Sequence, residues 1–117
     1  MPMSTNLVDT VEVTTGGTTA TLSPQPGDNC HTIIVFNEDG TNSALFGFVG
    51  TATALTTANS FIVPAGSAIT LRIGTMKYRP IGAFGGLSGI VMRVKNNGAG
   101  TPILSVQYVN SAGDTPP

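Results

Sequence analysis

Residues 60–74 read SFIVPAGSAITLRIG, and this stretch decides the fold class. Phe61, Ile62 and Val63 close an apolar run, and Pro64-Ala65-Gly66-Ser67 turns the chain. Beyond the turn the side chains alternate. Ile69, Leu71 and Ile73 share one face, while Ala68, Thr70 and Arg72 share the other. Successive side chains of an extended backbone point to opposite sides, so this alternation marks a strand with one face in a core.

The same period spreads in both directions. Residues 6–14 alternate through Leu7, Val11 and Val13 against Thr10, Glu12 and Thr14, and residues 18–23 form a short Thr-rich candidate strand. Residues 87–95 put Ile90, Met92 and Val94 inward and Val91, Arg93 and Lys95 outward; residues 102–110 align Leu104, Val106 and Tyr108. Residues 32–36 (TIIVF) are apolar on both faces and rich in β-branched side chains, which predicts a central strand buried on both faces. Residues 77–84 carry Pro80, which cannot donate to a ladder, and so belong at an edge or bulge. Asp39-Gly40 predicts a hairpin from residues 32–36 into residues 44–49, and Asn96-Asn97-Gly98 predicts a second one. Residues 50–58 read as a loop of small residues and Thr, and no window has helical periodicity. The expectation is one all-β antiparallel sandwich, jelly-roll-like or immunoglobulin-like, of about eight or nine short strands. It spans residues 16–110, preceded by an N-terminal arm or first strand (residues 1–15) docked on or swapped with a neighbour. A flexible tail (residues 111–117) follows it.

Only 9% of the residues are charged, against about 25% in ordinary soluble domains. The chain nevertheless folds, since 40% of it is hydrophobic and its mean hydropathy is +0.23. A surface of Thr, Ser, Asn and Gly is cheaper to bury against neighbours than a charged one, which favours an assembly subunit. The net charge of −1 does not suggest phosphate neutralisation, so no nucleic-acid partner is expected. Acidic residues lie early, at Asp9, Glu12, Asp28, Glu38 and Asp39; Arg72, Lys77, Arg79, Arg93 and Lys95 all lie late. Arg72, Lys77, Tyr78, Arg79, Arg93 and Lys95 are therefore the candidate partner interface, a basic face with an aromatic anchor. Leu7, Val8, Val11 and Val13 are the candidate docking arm, able to add a strand to a neighbour's edge. The N-terminus lacks the basic and apolar segments of a leader, and no apolar run is long enough to span a bilayer. Synthesis in the cytoplasm without export, and no membrane partner, are the expectations.

Titratable groups are scarce. His31 is the single histidine and adjoins the single cysteine, Cys30, but neighbours on a strand point apart, and zinc would need further ligands. Cys30 reads as core and His31 as rim. The group Asn37, Glu38, Asp39 and Asn42 lacks the spaced carboxylates of a calcium loop and is better explained as a turn. The Gly85-Gly86 and Gly98-Ala99-Gly100 runs precede no helix, so they are connectors and not phosphate cradles. The absence of Trp argues against a sugar platform. No enzyme, no metal and no cofactor are expected.

Four segments carry a resemblance to a known family. They are Thr32-Ile33-Ile34-Val35-Phe36-Asn37, Ala44-Leu45-Phe46-Gly47-Phe48, Phe61-Ile62-Val63-Pro64-Ala65-Gly66-Ser67 and Thr70-Leu71-Arg72-Ile73-Gly74. In this order they resemble the small β-sandwich capsid decoration, or cement, proteins of tailed bacteriophages. The resemblance covers little more than a third of the chain. It implies a virion protein on the capsid exterior, a homotrimer that bridges subunits of the major capsid protein and stabilises the lattice by binding it. Other readings are a neck, tail or fibre-associated phage protein, and a sugar- or ligand-binding module outside viruses.

Overall fold

The computed structural model describes residues 6–27, 29–73 and 90–111. They form eight strands and no helix: β1 (Val8–Thr14), β2 (Ala20–Thr21), β3 (Cys30–Asn37), β4 (Ala44–Gly50), β5 (Phe61–Val63), β6 (Ala68–Arg72), β7 (Ile90–Asn96) and β8 (Ile103–Asn110). The first sheet has the order β1-β8-β3-β6 and the second β2-β7-β4-β5. Every pairing is antiparallel. The chain is an all-β sandwich. The predicted strand at residues 77–84, with Lys77, Tyr78 and Arg79, lies outside the described residues.

The pairings show how the sandwich is wound. β1 pairs with β8, β2 with β7, β3 with β6 and β4 with β5. The chain is thus one long antiparallel ribbon, doubled back between β4 and β5 and rolled so that β3 meets β8 and β4 meets β7. That is jelly-roll topology, one of the two sandwich types expected. Both arms of the ribbon cross the corners together. At one corner the backbone and hydroxyl of Thr15 each donate to Pro102 O at 2.8 Å, and Asn96 N donates to Gly16 O. At another, Asn37 N donates to Ser67 O and Gly66 N to Asp39 O.

This winding corrects two expectations about pairing. β3 and β4 lie in different sheets, as do β7 and β8, so neither Asp39-Gly40 nor Asn96-Asn97-Gly98 closes a hairpin. Both carry the chain across the core. Asp39 does so with its own carboxylate, whose Oδ1 accepts Thr41 N at 2.7 Å and Asn42 N at 3.0 Å. Left-handed φ is adopted by Gly66, Gly98 and Gly100 and not by Gly40, so the Asp-Gly pair is not the mirror-image turn of a hairpin.

The core lies between the sheets. The register aligns Val11, Val106, Val35 and Ile69 across the first sheet, all facing inward. Ala44, Phe46, Val63, Met92 and Val94 face them from the second sheet, each with no exposed surface. Tyr108 closes one end, and its hydroxyl donates to Pro24 O at 2.8 Å. β2 is short, yet β7 stays paired beyond it because Gln25 imitates a strand residue. Its Oε1 accepts Met92 N and its Nε2 donates to Met92 O.

β3 is central in its sheet but is not buried on two sides. Ile33 and Val35 face the core, while Thr32, Ile34 and Phe36 face outward, where Phe36 is 42% exposed. A two-layer sandwich has nothing to cover an outer face. The second sheet does have a partial cover. The connection between β4 and β5 folds back over it, and Leu55 joins Leu45 and Val49 in a small apolar cluster.

Candidate functional site

Two surfaces hold the residues the sequence singled out. The outer face of the first sheet is built by alternation from all four strands. Its rows follow the register: Thr14 and Ile103; then Glu12, Ser105, Phe36 and Ala68; then Thr10, Gln107, Ile34 and Thr70; then Val8, Val109, Thr32 and Arg72. Among these positions the only charges are Glu12 and Arg72, on the two opposite edge strands, so the middle is uncharged. Phe36, Ile103 and Val8 are the large exposed apolar side chains on it. Phe36 is held outward by register: its neighbours Val35 and Asn37 both face in.

Glu38 follows β3 at the rim of this face, where its backbone N donates to Ile103 O at 2.9 Å. Its carboxyl is held above the ordinary carboxylate range, mainly by a hydrogen bond with the Glu12 carboxyl, then by desolvation and the Glu12 charge. Asp39 is shifted the other way by the donated N–H groups of Asn42 and Thr41, which stabilise its ionised form.

The described candidate basic residues, Arg72, Arg93 and Lys95, do not form one face. Arg72 stands on the outside of the first sheet, opposite Thr32, whereas Arg93 and Lys95 stand on the outside of the second, opposite Gly47 and Leu45. The charges alternate with inward residues on strands of different layers, so the core separates them. Arg93 is also engaged within its own chain. Its Nε donates to Thr21 Oγ1 at 3.0 Å, Nη1 to Thr53 O at 2.5 Å and Nη2 to Thr19 O at 3.2 Å. It ties the β4–β5 connection to the loop before β2.

Of the candidate arm, Val8, Val11 and Val13 lie in β1, the edge strand paired along its length with β8 of the same chain. Val11 and Val13 pack against the core; Leu7 and Val8 are exposed. Cys30 is fully buried, with Sγ 3.4 Å from Thr32 O, and His31 Nδ1 lies 2.8 Å from Thr32 Oγ1. Among the described residues no group of three or more His, Cys, Asp or Glu is placed to hold a metal ion.

Sequence reasoning passed over Phe36 and Leu55. For Phe36 the signal was period two itself: once Ile33 and Val35 face the core, Phe36 cannot. For Leu55 the signal was Gly47, a glycine inside a strand, which marks a close approach by another part of the chain.

No family model matches the chain, and no curated protein matches it. Among solved structures it is similar to one described as "Bacillus endospore appendages form a novel family of disulfide-linked pili". The identity is 12% and the TM-score 0.46, over 89% of this chain and 86% of that one.

Proposed function

We propose that the chain is a structural virion protein, a decoration protein that packs on the outside of a tailed-phage head and holds neighbouring major capsid subunits together. The observation that carries this reading is Phe36, exposed on a four-stranded outer face whose charges, Glu12 and Arg72, stand on its two edge strands. An exposed aromatic with Ile34, Gln107, Ser105 and Ala68 around it by register gains by leaving water, and its uncharged surroundings cost little to desolvate. The segments that resemble decoration proteins, residues 32–74, supply β3 and β6 of this face.

The size of the face sets the mode of action. Four strands about 4.8 Å apart and some seven residues long at about 3.3 Å each give roughly 20 by 23 Å. That is about half the ~800 Å² per partner of a standard interface. A single contact is weak, and retention on a lattice comes from several linked copies, as in the trimer that the resemblance implies.

The test is co-sedimentation with expanded, undecorated heads built from the major capsid protein encoded nearest to this gene. The expected result is saturable binding by the wild type and at least a tenfold loss in Phe36→Asp. Absence of wild-type binding, or undiminished binding by Phe36→Asp, overturns the proposal.

A further inference from the structure

On the face opposite Phe36, an open cleft of about 330 Å³ runs between the backbone of residues 17–19 and that of Ala52 and Ala54. Its floor is Arg93 and Lys95. These residues alternate on β7, so both side chains leave the same side of the sheet, with Cα atoms roughly 7 Å apart. Two cations this close repel unless something offsets them. Among the described residues no carboxylate lines the cleft. Across the strands they face Gly47, Leu45 and Thr21, all neutral. The described carboxylates Asp9, Glu12, Glu38 and Asp39 are engaged elsewhere, Asp9 with Asn6 and Asn110, Glu12 and Glu38 with each other, and Asp39 with its own loop.

The neighbours of Arg93 fix its position without neutralising it. The three acceptors, Thr21 Oγ1, Thr53 O and Thr19 O, are uncharged oxygens. A guanidinium has five N–H donors, so two stay available, and the Lys95 ammonium brings three more. The result is a guanidinium fixed in place with a second cation beside it, in a cleft whose other described lining is neutral. A stability role for Arg93 accounts for its hydrogen bonds; it does not account for Lys95 beside it.

We infer that this cleft is a receptor for a carboxylate, the side chain of an Asp or Glu presented by a partner protein. One carboxylate oxygen takes the ammonium of Lys95 and the other the free N–H groups of Arg93, a charge-assisted arrangement with both oxygens satisfied. The opening between the two loops admits a side chain from an exposed segment. The site is independent of the capsid reading, which stands or falls on Phe36 at the opposite face.

The experiment is an amide-shift titration of the ¹⁵N-labelled full chain with acetyl-Gly-Asp-Gly-amide. The neutral Asn tripeptide and inorganic phosphate at matched ionic strength serve as comparisons. The amides of Gly17, Thr18, Thr19 and of residues 52–54 are expected to shift saturably at millimolar Asp peptide. Binding weakens at least tenfold with the Asn peptide and in Lys95→Gln, and is unchanged in Arg72→Gln, on the other sheet. A flat titration, equal response to the Asn peptide, tighter binding of phosphate, or an unaltered Lys95→Gln each overturns the inference.

Discussion

The side-chain amide of Asn37, the last residue of β3, donates to the carbonyl oxygen of Val63, the last residue of β5, at 3.2 Å, and so ties one sheet to the other. The same nitrogen donates to Asn42 O at 2.9 Å, and Oδ1 accepts Asp39 N at 2.9 Å. Asn37 is fully buried, and no polar atom of its side chain is left over. Replacement by Ala takes a partner from two carbonyls, Val63 O and Asn42 O, and from Asp39 N–H, each buried group left unpaired costing about 1–3 kcal/mol when no water replaces the partner. Asn37→Ala is expected to lose about 3 kcal/mol in urea unfolding, as a lower midpoint at constant slope. A loss below about 1 kcal/mol contradicts this account of the corner.

Leu55 rests on Gly47 from outside the second sheet. A Cβ built on Gly47 comes within 2.8 Å of Leu55 Cδ2 and 3.1 Å of Asn59 O. The leucine can turn aside, but the backbone carbonyl yields only if the loop moves. Gly47→Ala is expected to cost about 1–3 kcal/mol. It should also raise amide exchange across residues 51–60 while that of β3 and β8 keeps its order. Leu55→Ala should open the same loop without any overpacking. Unchanged exchange in both variants would show that the cluster does not hold the loop down.

Tyr108 couples stability to alkaline pH. Burial first, and the nearby Cys30 second, push its phenol well above the ordinary value near 10. The unfolded chain ionises this group before the folded chain does. Its contribution is therefore intact below pH ~10 and declines above it, by up to about 1.4 kcal/mol per pH unit. Tyr108→Phe should cost about 1 kcal/mol at pH 7 through loss of the hydrogen bond to Pro24 O. Above pH 10 the variant's stability should fall less steeply than the wild type's. Parallel curves from pH 9 to 11.5 would contradict the assignment.

Glu38 titrates under the influence of the Glu12 carboxyl beside it. The Glu38 carboxyl is held up by its hydrogen bond to Glu12. In Glu12→Ala the bond and the repelling charge both vanish, so the Glu38 midpoint should fall toward the ordinary carboxylate range. Side-chain carboxyl NMR reads this directly, and an unmoved midpoint would place the cause elsewhere.

What the sequence disclosed was the face each side chain takes, more than which strand meets which. The inward sets Ile69/Leu71, Met92/Val94 and Leu104/Val106/Tyr108 all lie in the core as period two requires. The pairing was misread because Asp39-Gly40 and Asn96-Asn97-Gly98 specify only a tight change of direction. Whether such a turn returns to the same sheet or crosses to the other depends on how remote strands bury their inner faces. The candidate interface was misplaced for a related reason. Residues 32–36 carry apolar side chains on both sides, and composition cannot tell a covered outer face from an uncovered one. Arg72 and Arg93 looked equivalent as outward residues; only the layer of each strand separates them.

Asn110 N donates to Leu7 O at 2.8 Å, so the chain enters and leaves the sandwich side by side. A ribbon doubled back on itself brings its two ends together in this way. Asn6 and Ser111 can therefore be joined by a short Gly-Ser linker, and the chain reopened at the exposed Thr57-Ala58 tip where the ribbon doubles back. Such a circular permutant keeps every strand pairing. It would carry a fused cargo on the outer side of the second sheet, over which the β4–β5 connection folds, a display geometry that the original order of the chain does not offer.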